Sequence, residues 1–300
     1  MKKARLLCGA LVLALLFCGK VDAYAATNKT TTEVVTPTPT PAKTKVGDKK
    51  WATKKEIKNY KRNNKKIYAE IYRPVGDGPF PGIVIAHGLN SNCDYARDFA
   101  KQLAENGVVA CIFDFQGGGA SSRSEGNMAD MSALSEAADF KVVFKAVKSY
   151  KYVDDTRMFV MGNSMGGFVA TYVAGTMSKD IKGLIAMYPA YNMGGEGVKL
   201  MLRFNLIPEH ATFMGMTIGR KFFIDLATVD IGRIMAQFQG KAVIIHGTND
   251  EAVPISYSQK AVKTMKNAKL VTVNGGRHGF GMNNTVRTET LKLLKELCNK

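Results

Sequence analysis

Three hundred residues, 46% of them hydrophobic, allow one large globular domain or two small ones. The formal net charge of +17 is concentrated at the start: residues 1–66 hold 16 Lys or Arg against 4 Asp or Glu, and the rest holds 26 against 21. A basic tail without a recognition module argues against nucleic-acid binding, and the five cysteines and four histidines show no zinc-ligand spacing.

In chain order, Lys2, Lys3 and Arg5 precede a 14-residue apolar run from Leu6 to Gly19, and Ala23-Tyr24-Ala25 follows. That is the pattern of a secretory signal peptide covering residues 1–26. An uncleaved anchor and lipoprotein processing at Cys18 stay open as alternatives. Residues 27–50, centred on Thr36-Pro37-Thr38-Pro39-Thr40-Pro41, have too little apolar surface to fold and predict an extended linker. The combination resembles secreted proteins of Gram-positive bacteria. The basic tether would favour loose contact with an anionic cell surface.

The domain is expected over 51–300. Alternation at Glu56–Tyr60 and Lys66–Tyr72, with Arg62-Asn63-Asn64 between, predicts a β-hairpin. Strands are predicted at 82–86, 108–113, 157–161, 182–187, 241–245 and 269–273. Helices near 94–106, 132–150, 165–178, 256–267 and 285–298 alternate with them. Strands joined by helical crossovers give a mostly parallel sheet covered on both faces, an α/β fold. Residues 191–240 break the rhythm and carry many Met and Phe residues. They predict a helical cap inserted over the carboxyl ends of the strands, with methionines and aromatics lining a pocket or packing the cap onto the domain. His210 is expected at the cap surface. Once the signal segment is cleaved, Cys93, Cys111 and Cys298 remain, so no disulfide framework is expected, though a Cys93–Cys111 bridge stays open.

Gly162-Asn163-Ser164-Met165-Gly166 joins an apolar strand to an Ala/Val-rich helix. Strand, Gly-x-Ser-x-Gly, helix is a nucleophile elbow, which holds a serine in a strained turn with its hydroxyl exposed. The serine then needs a base, an acid and an oxyanion hole. His87 precedes Ser164, which places it outside the order Ser, acid, His. His278 lies on a Gly-rich loop after a late strand and is the expected base. Asp250 leaves the end of the Ala242–Ile245 strand and is the expected acid, with helix capping as its alternative and Glu251 as the nearest competitor. Asp225 and Asp230 lie where no strand is predicted. His246 is expected to pack beneath the site. The amides of Met165 and Leu89 are the expected oxyanion donors, and His87 is expected to shape the Leu89 loop.

His87-Gly88-Leu89, Asp114 to Ser121, Gly162 to Gly167, His246 to Asp250 with Val253-Pro254, and Gly276 to Phe280 together resemble the α/β-hydrolase superfamily. Within it, the pattern is similar to bacterial feruloyl or cinnamoyl esterases and to the monoglyceride-lipase-like serine aminopeptidase group. Asn163 departs from that pattern, where histidine is usual, as does Gln116-Gly117-Gly118-Gly119. The resemblance implies a serine hydrolase for carboxylic esters working without metal or organic cofactor. Feruloyl, short-acyl and monoglyceride esters are all compatible, and a peptidase or amidase is the alternative.

Overall fold

A computed structural model describes residues 43–213 and 216–300. The signal segment expected over 1–26, and the linker as far as residue 42, lie outside the described residues.

The chain opens with β1 (Thr53–Arg62) and β2 (Lys65–Pro74), then β3 (Phe80–Ala86), α1 (Arg97–Glu105), β4 (Val109–Phe113), α2 (Ala133–Lys148), β5 (Val153–Asn163), α3 (Met165–Thr176) and β6 (Gly183–Met187). Between β6 and the next sheet strand come α4 (Glu196–Arg203), β7 (His210–Phe213), β8 (Met216–Gly219), α5 (Arg220–Thr228) and α6 (Ile231–Ala236). The chain closes with β9 (Lys241–Gly247), α7 (Ser256–Thr264), β10 (Ala268–Val273) and α8 (Asn284–Cys298).

Asn63 and Asn64, at φ 50° and 59°, make the tight turn of the first hairpin. Two consecutive left-handed residues suit the right-handed twist of the flanking strands, and asparagine tolerates that conformation. The main sheet runs β1-β2-β4-β3-β5-β6-β9-β10. The β1–β2 and β2–β4 pairs are antiparallel, and every pair from β4 to β10 is parallel.

Period-2 alternation divides each central strand between two apolar layers. Val84 and Ala86 of β3, with Cys111 and Phe113 of β4, face a layer built with Phe140 and Val143 of α2 and Val169 and Val173 of α3. Ile83, Ile85, Ala110 and Ile112 face the other side, against Phe99 and Leu103 of α1 and Leu293 and Leu294 of α8. These strands are buried along their whole length, so they read as continuous apolar runs.

Three features differ from the sequence expectations. β5 begins at Val153, ahead of the expected 157, because its polar start is bulged against β3: Phe80 pairs with Val153, yet Gly82 pairs with Met158. Asp154 in that bulge is neutralised by Arg157 at 2.6 Å. Residues 43–50, expected in the linker, lie against the domain instead. Val46 is buried, and the Val46 N–H donates to Asn299 Oδ1 at 2.8 Å. A polar segment with few apolar groups is held here by backbone hydrogen bonds, which composition does not report. The segment between β6 and β9 holds the β7–β8 hairpin as well as helices. Met216 and Ile218 of β8 are buried and Thr217 between them is exposed, a strand's alternation over three residues.

Candidate active site

The residues singled out by sequence leave the sheet at one edge. Leu89 follows β3, Ser164 follows β5, Asp250 follows β9 and His278 follows β10. Ligands in open α/β sheets bind outside these carboxyl ends.

Ser164 sits at φ 51°, ψ −122°, an unfavourable backbone for a residue with a side chain. Its surroundings enforce it. The Ser164 N–H donates to Met187 O at 2.9 Å, and its carbonyl accepts from Ala190 N–H at 3.0 Å. The flanking glycines have no room for more: a Cβ on Gly162 would lie 2.1 Å from Gly166 O, and one on Gly166 would lie 2.2 Å from His87 O.

His278 Nε2 lies 2.9 Å from Ser164 Oγ, and His278 Nδ1 lies 2.8 Å from Asp250 Oδ2. Asp250 is buried. Its Oδ1 accepts from the Ala252 N–H at 3.0 Å and the Val253 N–H at 2.8 Å. Those amides lie in the turn before α7, whose N-terminus has no side-chain cap, so Asp250 does not cap that helix but holds the turn with one oxygen and His278 with the other. His246 is buried beneath Asp250, with Nε2 2.9 Å from Val253 O and 3.2 Å from Asp250 Oδ2, while Nδ1 lies 2.7 Å from Ser258 Oγ. Burial lowers its proton affinity, so it stays neutral, with its Nε2–H donating to the Val253 carbonyl beside Asp250.

The other acids are engaged elsewhere. Glu251 is exposed beside Arg277, Asp225 accepts from Ser132 and Lys221, and Asp230 caps α6. His210 is exposed at the start of β7.

Met165 is the first residue of α3, so its N–H has no partner one turn back within the helix. Among the described residues, no acceptor is recorded for the Leu89 N–H. His87 holds the Leu89 loop: its Nδ1–H donates to Gly88 O at 2.8 Å, and its Nε2 accepts from Phe115 N–H at 3.1 Å. Complete burial depresses its proton affinity, which keeps both roles in place.

A cavity of about 280 Å³ opens over Ser164. Leu89, Met165, Met193, Ala190, Ala252 and Val253 give it apolar walls, and Asn163 and Asn192 add amides. Of the Met and Phe residues in 191–240, Met193 reaches this cavity, whereas Met216, Phe222 and Met235 are buried in the main core and Phe204 is exposed. Tyr188, which sequence reading passed over, packs edge-on against the His278 ring at 5.0 Å. Nothing in the run Ala186-Met187-Tyr188-Pro189 marks it in advance.

Away from this edge, Glu70, Cys93 and Asp94 come within reach of one another. Arg97 and Arg123 already supply cations there, with Arg97 Nη2 2.8 Å from Glu70 Oε1 and Arg123 Nη2 2.6 Å from Asp94 Oδ1. The cysteines Cys93, Cys111 and Cys298 are free and buried.

Residues 79–225 match the family of serine aminopeptidases, S33, and residues 231–296 match the TAP-like protein family. Esterase FrsA of Enterobacter sp. (strain 638) is 30% identical over 120 residues, which is 40% of this chain and 28% of that esterase. The chain therefore spans little more than a quarter of that relative. The quorum-quenching protein AidA of Acinetobacter baumannii is 29% identical over 106 residues, 35% of this chain and 34% of that protein. Among solved structures, Est1E from Butyrivibrio proteoclasticus with bound ferulic acid superposes with a TM-score of 0.67 at 22% identity, covering 80% of this chain and 96% of that one. The α/β hydrolase GrgF from Penicillium sp. sh18 gives 0.70 at 17% identity, covering 82% and 100%. With family matches over residues 79–225 and 231–296 and this sheet order, the chain has the α/β-hydrolase fold.

Proposed function

We propose that this chain is a serine hydrolase of carboxylic esters, with Ser164 as nucleophile, His278 as general base and Asp250 as the acid that orients it. The observation that carries the reading is the unbroken relay from Ser164 Oγ through His278 to Asp250, with contacts of 2.9 and 2.8 Å. His278 Nε2 takes the serine proton as Oγ attacks the ester carbonyl. Asp250 holds the Nδ1–H tautomer and stabilises the imidazolium as it forms. The oxyanion rests on the amides of Met165 and Leu89. His278 then protonates the departing alkoxide, and water repeats the cycle on the acyl-enzyme.

The apolar walls and modest volume of the cavity suit a short acyl group or a single aromatic ring. The likeness to Est1E, solved with ferulic acid, makes a feruloyl ester the aromatic candidate. The match to serine aminopeptidases favours, as a second reading, cleavage of an amide at the same serine. Secretion through residues 1–26 belongs to the same proposal, and N-terminal sequencing of the mature protein tests it.

The deciding experiment is hydrolysis of p-nitrophenyl acetate, butyrate and palmitate, methyl ferulate and an aminoacyl p-nitroanilide, each beside Ser164→Ala. Ester turnover is expected, and the substitution should lower kcat by about 10⁴-fold or more. Cleavage of the anilide alone would move the assignment to a peptidase. Turnover that survives Ser164→Ala would remove Ser164 from the mechanism.

A further inference from the structure

Tyr188 lies directly after β6 at φ 32°. A bulky aromatic residue rarely adopts a positive φ, and such strain persists only where the surroundings over-determine it. Here the backbone on both sides is tied down. The Tyr188 N–H donates to Ile245 O at 2.7 Å. Its neighbour Met187 accepts from the Ser164 N–H, and Ala190, two residues on, donates to the Ser164 carbonyl. The segment that carries Tyr188 is therefore bonded to both backbone groups of the elbow serine.

The side chain of Tyr188 reaches the other partner. Its ring packs edge-on against His278 at 5.0 Å and against Phe280 at 4.6 Å. Its hydroxyl accepts from Asn163 Nδ2 at 3.2 Å, so the residue just before the serine holds the far end of the ring. Burial keeps the hydroxyl protonated, its pKa pushed up to about 12. The loop carrying His278 is tied at its two ends, where the Gly276 carbonyl accepts from the Asn249 N–H at 3.0 Å and the Met282 carbonyl from Arg287 Nε at 2.7 Å. Gly279 and Gly281 both lie at positive φ, with open space where a Cβ would be.

We propose that Tyr188 is a positioning residue for His278, setting the approach of Nε2 to Ser164 Oγ by linking the backbone of the elbow to the base's loop. This rests on the hydrolase reading above. Asn163 belongs to the same linkage, because it fixes the tyrosine hydroxyl from the elbow side. Such a link acts on geometry in the chemical step; Tyr188 and Asn163 also line the cavity, and Tyr188→Phe keeps the ring that forms its wall. Small displacements of a reacting group are enough to cost up to about 10²-fold in rate.

The test compares the full chain with Tyr188→Phe, Asn163→Ala and the double variant, using p-nitrophenyl butyrate and thermal melting. Tyr188→Phe keeps the ring and removes only the hydroxyl. It is expected to lower kcat by about 10- to 100-fold with KM nearly unchanged and the melting temperature retained. Asn163→Ala should act in the same direction, and the double variant should be no worse than Tyr188→Phe alone, because both cut one chain of contacts. Wild-type kcat in a folded Tyr188→Phe overturns the proposal. If Tyr188→Phe loses its melting transition, wild-type kcat in Asn163→Ala overturns it instead. A readout independent of turnover is the downfield proton resonance of His278 Nδ1–H, held by Asp250. It is expected to broaden or shift in Tyr188→Phe, and an unchanged resonance overturns the proposal even if no substrate is turned over. Absence of Ser164-dependent turnover in the wild-type chain would instead count against the hydrolase reading, which separates the two failures.

Discussion

Asp250 divides its carboxylate between two tasks, one oxygen for the turn amides of Ala252 and Val253 and the other for His278. That division makes Asp250→Asn an informative change. The amide oxygen can keep the turn, which places the NH₂ group opposite His278 Nδ1. A donor there forces the proton onto Nε2, the atom that must accept it from Ser164. We expect the melting temperature to hold while kcat falls by about 10⁴-fold, measured on whichever ester proves best. At this scale the sequence was legible where chemistry and order coincide, as at Ser164 and His278. Glu251 is the nearest competitor to Asp250, one residue away, and burial separates the two: Asp250 is enclosed and Glu251 is exposed.

Among the elements, α2 carries an unusual burden. Glu136 is buried in it, and among the described residues neither carboxylate oxygen has a hydrogen-bond partner. Burial, with the neighbouring Asp139 charge adding to it, raises its pKa well above the usual value of 4.5. The sign follows from linkage. The folded state holds the proton and the unfolded state releases it near pH 4.5, so stability is greatest below that pH and declines as pH rises toward the folded-state value. Glu136→Gln removes the titration. It is expected to raise the melting temperature at pH 8 and to leave it little changed at pH 4, as followed by circular dichroism. A helix-period pattern placed α2 correctly but could not say that both of its acids, Glu136 and Asp139, turn inward. The β7–β8 hairpin escaped for the opposite reason: four-residue strands are too short for their alternation to stand out.

For the molecule as a whole, residues 43–51 tie the two ends of the domain together. Asn299 accepts from the Val46 N–H and donates to the Val46 carbonyl at 3.0 Å. Gly47 and Trp51 bond to Asn106 and Glu105 at the end of α1, and Arg157 reaches Thr44 O at 2.6 Å. Asn299→Ala removes two of these bonds, a loss of ~2 kcal/mol. For a domain of this size that predicts a fall in melting temperature of about 4–8 °C by differential scanning calorimetry, with kcat unchanged. An unchanged melting temperature would mean that this strap contributes nothing to stability.

Sequence alone determined the α/β layering, since buried parallel strands must be apolar throughout and their crossover helices must be periodic. It also placed the serine elbow, because only small residues survive the approaches of Gly162 to Gly166 and of Gly166 to His87. The tertiary structure decided the rest. Whether a polar segment folds back, which of two adjacent acids is enclosed and what braces the base all depend on contacts between residues far apart in the chain. Tyr188 shows the reason most plainly. Its neighbours in sequence give no hint of a role, yet its backbone is pinned from β9 and its ring meets a loop about ninety residues downstream. Local patterning reports which face of an element is buried, but only the assembled sheet brings the ends of β5, β6, β9 and β10 to one edge.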